Sequence, residues 1–277
     1  MIKKIGILLF TTISVNAQDK GGFESYSNPF YGTIVIESNK YEKEEKEASK
    51  SFKMNFDGKE IPESLSEFTI IEAEKPISQG NTGTCWCFST TSFYESEIHR
   101  LTGKTINLSE LYPVYFEYIE KAKGYINTRG KTHLGEGSET NAVQRMMDWY
   151  GIVPAEAYHG KPKNQPYYNH EKMFDEFESY LKNCKQINFW NETAIISNIK
   201  SILNYYMGPP PTKFKYNGKT YTPKSFLKNV TKLKPNDYVD FMSLMQKPYW
   251  SQEEYKVPDN WWRSDAYYNV PLDEFMF

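Results

Sequence analysis

The chain has 277 residues, and its 22 tyrosines and 17 phenylalanines are typical of a folded protein, since disordered chains avoid large aromatic residues. Its 33 basic and 35 acidic residues give a formal net charge of −2, so no excess of positive charge indicates a nucleic-acid partner. Three cysteines are too few for a disulfide framework, and the fold is therefore expected to depend on one substantial core or two modest ones.

Residues 1–17 have the pattern of a secretory signal peptide. Lys3 and Lys4 precede an apolar run over residues 5–15, and Ala17 closes a small-x-small motif typical of a cleavage site. The apolar run is too short to span a membrane comfortably, although a buried N-terminal strand or an uncleaved anchor stays an alternative. The pattern predicts export to the periplasm or the medium of a bacterium, with no membrane attachment after cleavage.

Residues 18–65 are polar, and we interpret them as a linker or a pro-segment. The mixed lysine and glutamate run over residues 41–53 favours a solvated helix or linker, with a folded propeptide as the alternative. Phe68–Ile71 has the composition of a short strand, and organised sequence is expected from there onward.

The first predicted helix runs from Cys85 to Leu101 without glycine or proline, and Gly103 just beyond it is typical of a helix stop. Its apolar face is predicted from residues at helical spacing: Cys87, Tyr94, Ile98 and Leu101. Ser109 is predicted to cap a second helix, which runs through residues 115–123. The sequence thus places Cys85 at the first position of a helix.

Three further helices and one hairpin are predicted after it. Ser138 is expected to cap the third helix, over residues 139–150, with Gly151 at its end. Its apolar stripe is predicted to be core: Ala142, Val143, Met146, Met147 and Tyr150. Two more helices are expected near residues 171–181 and 194–207. The segment 213–223 predicts a β-hairpin, because Asn-Gly lies between alternating residues.

Cys85 is a candidate nucleophile. The helix dipole and the unpaired backbone N–H groups at a helix start favour a thiolate there, and Gly80 and Gly83 allow the sharp turn that would present it in a cleft. Trp86 is expected to shield one side of the site from water. The Gln79 amide and the Cys85 backbone N–H could form an oxyanion hole. A lone cysteine is more often a buried structural residue, but the joint pattern Gln-Gly-x-x-Gly-x-Cys-Trp-x-Phe-Ser is far more specific.

The segment QGNTGTCWCFS, residues 79–89, resembles the active-site segment of papain-like cysteine peptidases. Asn107–Glu110 resembles the Leu-Ser-Glu segment of that family. Gly137–Ser138 resembles its Gly-Gly segment, which pairs with the substrate backbone, although Ser138 departs from the second glycine. Thr82 and the long region 160–277 are more similar to the bleomycin hydrolase and aminopeptidase C branch. Cys87 stands where the family has a small residue and is expected to pack inside the helix face.

The resemblance implies an α+β, papain-like fold whose helical half carries the nucleophile at a helix N-terminus and whose β-barrel half is incomplete. It assigns residues 66–277 to the N-terminal part of a peptidase domain with a long insertion. It implies hydrolysis of peptide bonds through a Cys85 thioester, with Gln79 assisting and aminopeptidase action expected. Substrate contacts are expected from Trp86, Gly137 and Ser138. The expected partner is a peptide substrate, no cofactor or metal is implied, and a homo-oligomer stays open.

The base that such a site requires is not evident. A papain-like site needs a histidine to move the thiol proton and an asparagine to orient it, roughly 130–150 residues after the cysteine. No histidine follows His170 in this chain. Surface or capping positions are expected for all four histidines: His99, His133, His159 and His170. His133 is the first candidate for a substitute base, because its loop precedes the expected substrate segment.

The expectation is therefore a fragment that lacks the catalytic histidine and asparagine and is inactive alone. Two alternatives stay open. One is a non-catalytic module that binds peptides through the same helical half. The other is a thiol acyltransferase on the same fold.

Overall fold

The computed structural model describes residues 21–25, 29–42, 50–62, 64–68, 73–254 and 266–276. The chain divides into two compact units, one formed by Met1–Pro29 and Glu45–Thr69 and the other by Phe30–Glu44 and Ile70–Phe277. The expected signal peptide lies outside the described residues, as does most of the strand expected at Phe68–Ile71. Within the described residues the fold class is α+β, with small sheets and no closed barrel.

The first unit contains a two-stranded antiparallel sheet. Strand β1 (Gly21–Ser25) pairs with β2 (Lys50–Met54), and Phe23 lies opposite Phe52. The two rings meet edge to face with centroids 5.4 Å apart, a geometry that adds about 0.5–1.5 kcal/mol to the pairing. The polar composition of residues 18–65 did not reveal this sheet.

The second unit is mainly helical. Its longer helices are α1 (Pro29–Glu42), α2 (Cys85–Thr102), α3 (Leu111–Asn127), α4 (Thr140–Tyr150), α5 (Glu171–Gln186) and α6 (Glu192–Met207). Two short helices follow, α7 (Pro223–Phe226) and α8 (Leu272–Phe275). Helix α1 falls in the stretch that we expected to be a linker or pro-segment, and Ile34 on it is buried.

Helix α3 lies at the centre of this unit and packs against α2, α4 and α6. Helix α4 confirms its predicted stripe, because four of the five members are fully buried: Ala142, Val143, Met146 and Met147. Helix α2 confirms the predicted face at three positions, Cys87, Tyr94 and Ile98. Leu101 in the last turn of α2 is 43% exposed, so its assignment to that face was wrong.

The expected serine caps are only partly present. The N-cap position of α3 is Glu110, although the Ser109 hydroxyl accepts the Tyr112 N–H at 3.2 Å. The expected cap by Ser138 was wrong, because α4 begins one residue later than expected, with Glu139 at its N-cap. The Ser138 hydroxyl instead donates to the buried carboxylate of Glu117, and a hydrogen bond to a charged acceptor is stronger than one to a neutral group.

The expected hairpin is confirmed. Strands β3 (Phe214–Tyr216) and β4 (Lys219–Tyr221) pair antiparallel. Asn217 and Gly218 between them have φ values of 47° and 76°, and two positive values in succession are what a two-residue type I′ turn requires.

A second small sheet follows it. Strands β5 (Phe241–Met242), β6 (Ser251–Glu254) and β7 (Ala266–Asn269) take the order β5-β7-β6, with β5 parallel and β6 antiparallel to β7. The buried Asn269 side chain donates to the carbonyl oxygens of Leu244, Lys247 and Pro248 and accepts the Leu244 N–H. This side chain fixes the loop between β5 and β6.

Candidate active site

Backbone hydrogen bonds to residues 168–170 hold the turn before α2, residues 79–84. The Asn81 N–H donates to the Tyr168 carbonyl at 2.8 Å, and the His170 N–H donates to the Asn81 carbonyl at 3.2 Å. Gly80 has a φ of 65°, and a Cβ there would lie 2.3 Å from the Tyr168 carbonyl oxygen. The position therefore requires glycine both for its backbone conformation and for its close contact.

Cys85 is the first residue of the 18-residue helix α2, and it is exposed. The amide of a first helical residue has no intrahelical acceptor, and the helix dipole adds partial positive charge at the same end. The structure thus places a solvent-accessible sulfur at an electropositive helix start, as the sequence predicted.

Cys87 shows the opposite environment two residues later. It is fully buried, and its thiol donates to the Glu110 carbonyl at 3.0 Å. Burial raises the pKa of the Cys87 thiol well above its ordinary value. The predicted packing role is confirmed, because burial separates the Cys87 thiol from solvent and disfavours its thiolate form.

Gln79 stabilises the turn through two hydrogen bonds with Thr82. Its side-chain nitrogen donates to the Thr82 carbonyl at 2.5 Å, and the Thr82 hydroxyl donates back to the Gln79 carbonyl at 3.0 Å. A primary amide carries two N–H donors, so one is still available for a substrate oxygen. Its part in an oxyanion hole stays a prediction.

Trp86 packs in the hydrophobic core of the helical unit and is only 6% exposed. Its indole N–H donates to the Glu136 carbonyl at 3.2 Å. The residue thereby joins the start of α2 to the 135–138 segment, which contains Gly137 and Ser138. Its shielding of the thiol and its contact with substrate stay predictions.

Glu136 connects these segments a second time, through its side chain. One carboxylate oxygen accepts the Gly83 N–H at 2.8 Å and lies 3.4 Å from the Tyr118 hydroxyl and 3.5 Å from His170 Nδ1. Burial alone would raise the pKa of Glu136, but the hydrogen bond and attraction from His170, with the Gly83 N–H, outweigh it and lower that pKa. Glu136 is therefore an ionised group that fixes the turn before Cys85.

Two charged residues of α3, Lys121 and Glu117, form hydrogen bonds with the 135–138 segment. Lys121 donates to the carbonyl oxygens of Gly135 and Gly137, each at 2.5 Å, and Ser138 donates to Glu117 at 2.6 Å. Burial lowers the pKa of Lys121 to about 8, and attraction to Glu117 opposes that shift. Burial raises the pKa of Glu117, and attraction to Arg145 and then to Lys121 opposes that shift. The structure thus brings Gly137 and Ser138 to the same place as Cys85 through buried polar contacts.

The histidines lie where they were expected, with one exception. His133 and His159 are exposed, and His99 lies on α2 and is partly exposed. His170 occupies the N-cap position of α5 but makes no side-chain cap, and its ring is only 3% exposed. Its Nδ1 lies 3.3 Å from the Tyr118 hydroxyl as well as near Glu136. The expected surface or capping role was wrong for His170, because its ring is part of the network beneath the turn.

The sequence analysis did not predict the part that Glu136, His170 and Tyr118 take in this network. They lie far apart in the chain and carry no periodic or motif signal, so only the fold brings them together.

Across the described residues, no hydrogen bond joins Cys85 to any of the four histidines. That part of the chain also contains no group of three or more metal-ligating side chains. None of its helices has the length and hydropathy needed to cross a membrane.

The chain resembles a cysteine protease in sequence and PepW in structure. It is 28% identical over 132 residues to germination-specific cysteine protease 1 of Arabidopsis thaliana, a match that covers 39% of this chain and 35% of that protein. The structure is similar to the crystal structure of PepW from Lactobacillus rhamnosis HN001, with a TM-score of 0.59 and 18% identity. The two structures share a fold. This match covers 72% of the chain and 54% of PepW.

The chain therefore spans about a third of the plant relative and about half of PepW. No protein-family model matches it. The comparisons thus show a distant sequence similarity to one named cysteine protease and a fold shared with PepW. The α+β architecture, with no barrel closed in the described residues, is consistent with part of a papain-like fold.

Proposed function

We propose that the chain is the nucleophile-bearing part of a papain-like cysteine peptidase. The observation that carries this proposal is the exposed Cys85 at the first position of an 18-residue helix, after a turn fixed by Gly80 and Glu136. The distant similarity to a cysteine protease of Arabidopsis thaliana supports the same reaction class.

In the proposed reaction the Cys85 sulfur attacks the peptide carbonyl carbon. A C–S bond forms and the C–N bond breaks, while the thiol proton passes to the leaving amine. Water then hydrolyses the thioester, which releases the acid and restores the thiol. The Cys85 N–H and the free N–H of Gln79 would stabilise the oxyanion of each tetrahedral intermediate, and the 135–138 segment would align the substrate backbone.

The finer expectations belong to this proposal. They are aminopeptidase action of the bleomycin hydrolase type and export directed by residues 1–17. Proton transfer would need an imidazole other than the four histidines described, so the chain alone is expected to acylate at Cys85 without rapid turnover.

A second candidate is a peptide-binding module without hydrolysis. It is favoured by one observation, the absence of a hydrogen bond between Cys85 and any histidine in the described residues. In that case the 135–138 segment would bind peptide backbone while the thiol stays unreacted.

The test is to trap the thioester on the chain itself with an activated acyl ester. Mass mapping of wild type is expected to show one acyl group on the peptide that contains Cys85, and Cys85→Ala is expected to show none. Cys184→Ala is the matched control, since Cys184 is buried and should not affect acylation. Equal acylation of Cys85→Ala would exclude Cys85 as the nucleophile. Peptide binding by wild type with no acylation would favour the module instead.

A further inference from the structure

Helix α2 carries an exposed stripe that continues from Cys85. Cys85, Ser89 and Phe93 follow one another at four-residue spacing, so they lie on one side of the helix, and all three are exposed. A pocket of about 360 Å³ opens beside Ser89 and Phe93, between α2, the start of α4 and residues 238–241. Its volume lies in the range of small-ligand sites.

Fixed hydrogen bonds form the outer wall of this pocket. The Gln144 amide nitrogen on α4 donates to the carbonyl oxygens of Pro235 and Tyr238, at 2.6 and 2.9 Å. The Thr140 hydroxyl donates to Asp240 Oδ1 at 2.6 Å. Residues 235–240 are therefore held against α4, and the pocket does not depend on a loose loop.

The pocket is lined by three aromatic rings that contact one another edge to face. Tyr94 and Tyr238 have centroids 5.2 Å apart, and Phe93 lies 5.3 Å from Tyr94 and 5.8 Å from Tyr238. The Tyr238 hydroxyl donates to Glu97 at 3.1 Å, which fixes the orientation of its ring. Aromatic walls of this kind attract cations through their negative faces.

A carboxylate without a basic partner completes the lining. Asp240 lines the pocket, and in the described part of the chain no lysine or arginine pairs with it. Glu139 lies close enough that burial, with the charge of Asp240, raises the pKa of Glu139. Glu139 therefore adds a second carboxyl group near Asp240 at this end of the pocket.

We infer that this pocket is a subsite for the basic side chain, arginine or lysine, of a peptide bound across Cys85. The three rings would contact the cation while Asp240 pairs with it. Ser89 lies one helical turn, about 6 Å along the axis, from Cys85. An extended peptide advances about 3.3–3.6 Å per residue, so the basic residue would be one or two positions from the scissile bond. The link to cleavage rests on the proposed peptidase function, whereas the cation preference does not.

The test compares two small probes of nearly equal shape, N-acetyl-argininamide and N-acetyl-citrullinamide, which differ in charge. NMR titration of the 277-residue chain is expected to show that the arginine probe binds about ten-fold more tightly than the citrulline probe. One ion pair with cation–π contacts is enough to give an affinity difference of that size. Asp240→Asn keeps an acceptor for Thr140 and is expected to remove the preference. Asp237→Asn is the matched control, since Asp237 is exposed on the same segment and should leave the preference unchanged.

The outcomes separate this inference from the proposed function. Equal or undetectable binding of the two probes by wild type would overturn the subsite, and so would a preference that survives in Asp240→Asn with an unchanged thermal transition. Acylation of Cys85 without an arginine preference would support the proposed peptidase function and exclude only the subsite. An arginine preference without acylation would keep the cation site and exclude only the peptidase.

Discussion

The turn before Cys85 and the small sheet β5-β7-β6 lie in the same unit and are built in contrasting ways. The turn is surrounded by buried polar side chains from α3, from the 135–138 segment and from His170. The sheet has only short strands, and several apolar side chains near it are exposed: Phe241, Met245, Trp250, Leu272 and Met276. The contrast shows that the turn before the candidate nucleophile Cys85 is held by contacts within the helical part, and none of these contacts comes from the sheet.

The largest expected effect is at Lys121, beneath the turn. Lys121→Met removes the buried donor to Gly135 and Gly137 and one of the two charges that attract Glu117, which keeps its ion pair with Arg145 at 3.8 Å. We expect a loss of about 3–5 kcal/mol in the free energy of unfolding, as is typical when one partner of a buried ion pair is removed.

Urea denaturation measures that loss, and Lys123→Met is the matched control. Lys123 pairs with Glu120 at the surface of the same helix, so its loss is expected to cost less than about 1 kcal/mol. A similar cost for the two variants would show that the buried contacts of Lys121 do not stabilise the turn.

The second prediction concerns Gly80. A side chain there would combine a positive φ with overlap of the Tyr168 backbone, so Gly80→Ala is expected to cost about 2–4 kcal/mol. Gly103→Ala is the control, because Gly103 has a φ of 66° but no atom within 4 Å of the added Cβ. It should cost only the conformational strain, about 1–2 kcal/mol. Chemical denaturation that ranks the two in the opposite order would contradict the close approach of the turn to residue 168.

The third prediction is a pH dependence at Glu136. Because its folded pKa is lowered below the ordinary 4.5, its stabilising contribution is present above that pH and is lost as the pH falls through the folded pKa. Glu136→Gln should therefore be less stable than wild type at neutral pH, by about 1–2 kcal/mol, and the difference should shrink in acid. His170, Tyr118 and Lys121 face the same carboxylate and are unchanged by the substitution.

The two proteins are compared by urea midpoints from pH 3 to neutral pH. Glu95 and Glu110, whose pKa values burial raises to about 7, titrate in both, so the difference isolates Glu136. Glu139→Gln is the control of opposite sign, since the pKa of Glu139 is raised and removal of its charge should not destabilise the chain at neutral pH. A constant difference between wild type and Glu136→Gln over this range would show that Glu136 does not hold the turn as an ion.

The smallest effect is expected in the region of the small sheet. Met245 is 89% exposed, so Met245→Gln should change the free energy of unfolding by no more than about 0.5 kcal/mol. The same substitution at fully buried Met146 on α4 should cost more than about 2 kcal/mol. Thermal or urea melts of the two variants check the difference, and a large cost at Met245 would mean that the sheet region is part of the core.

The sequence predicted the parts of this molecule that depend on local pattern. Cys85 starts α2 because glycines precede it and no glycine interrupts the next 17 residues. The hairpin turn between β3 and β4 depends in the same way on two adjacent residues, Asn217 and Gly218. Helix α1 was missed because its polar surroundings hide the few buried positions, such as Ile34.

The contacts that fix the site could not be predicted in this way. Glu136 lies 53 residues from Gly83, and Ser138 lies 21 residues from Glu117. In the sequence Glu136 is one acid in a glycine-rich loop, and Ser138 looks like a cap because serine at that spacing normally caps. Only the packing of α3 beneath both segments selects their actual partners.

The most direct test of the central claim is labelling of the folded chain with an epoxide inhibitor of cysteine peptidases, followed by mass mapping of all three cysteines. The account predicts one adduct, on Cys85, and faster labelling in the folded chain than in the urea-unfolded chain, where Cys87 and Cys184 become equally accessible. If Cys85 reacts no faster when folded than when unfolded, the turn and helix do not present it as a nucleophile, and the peptidase proposal fails.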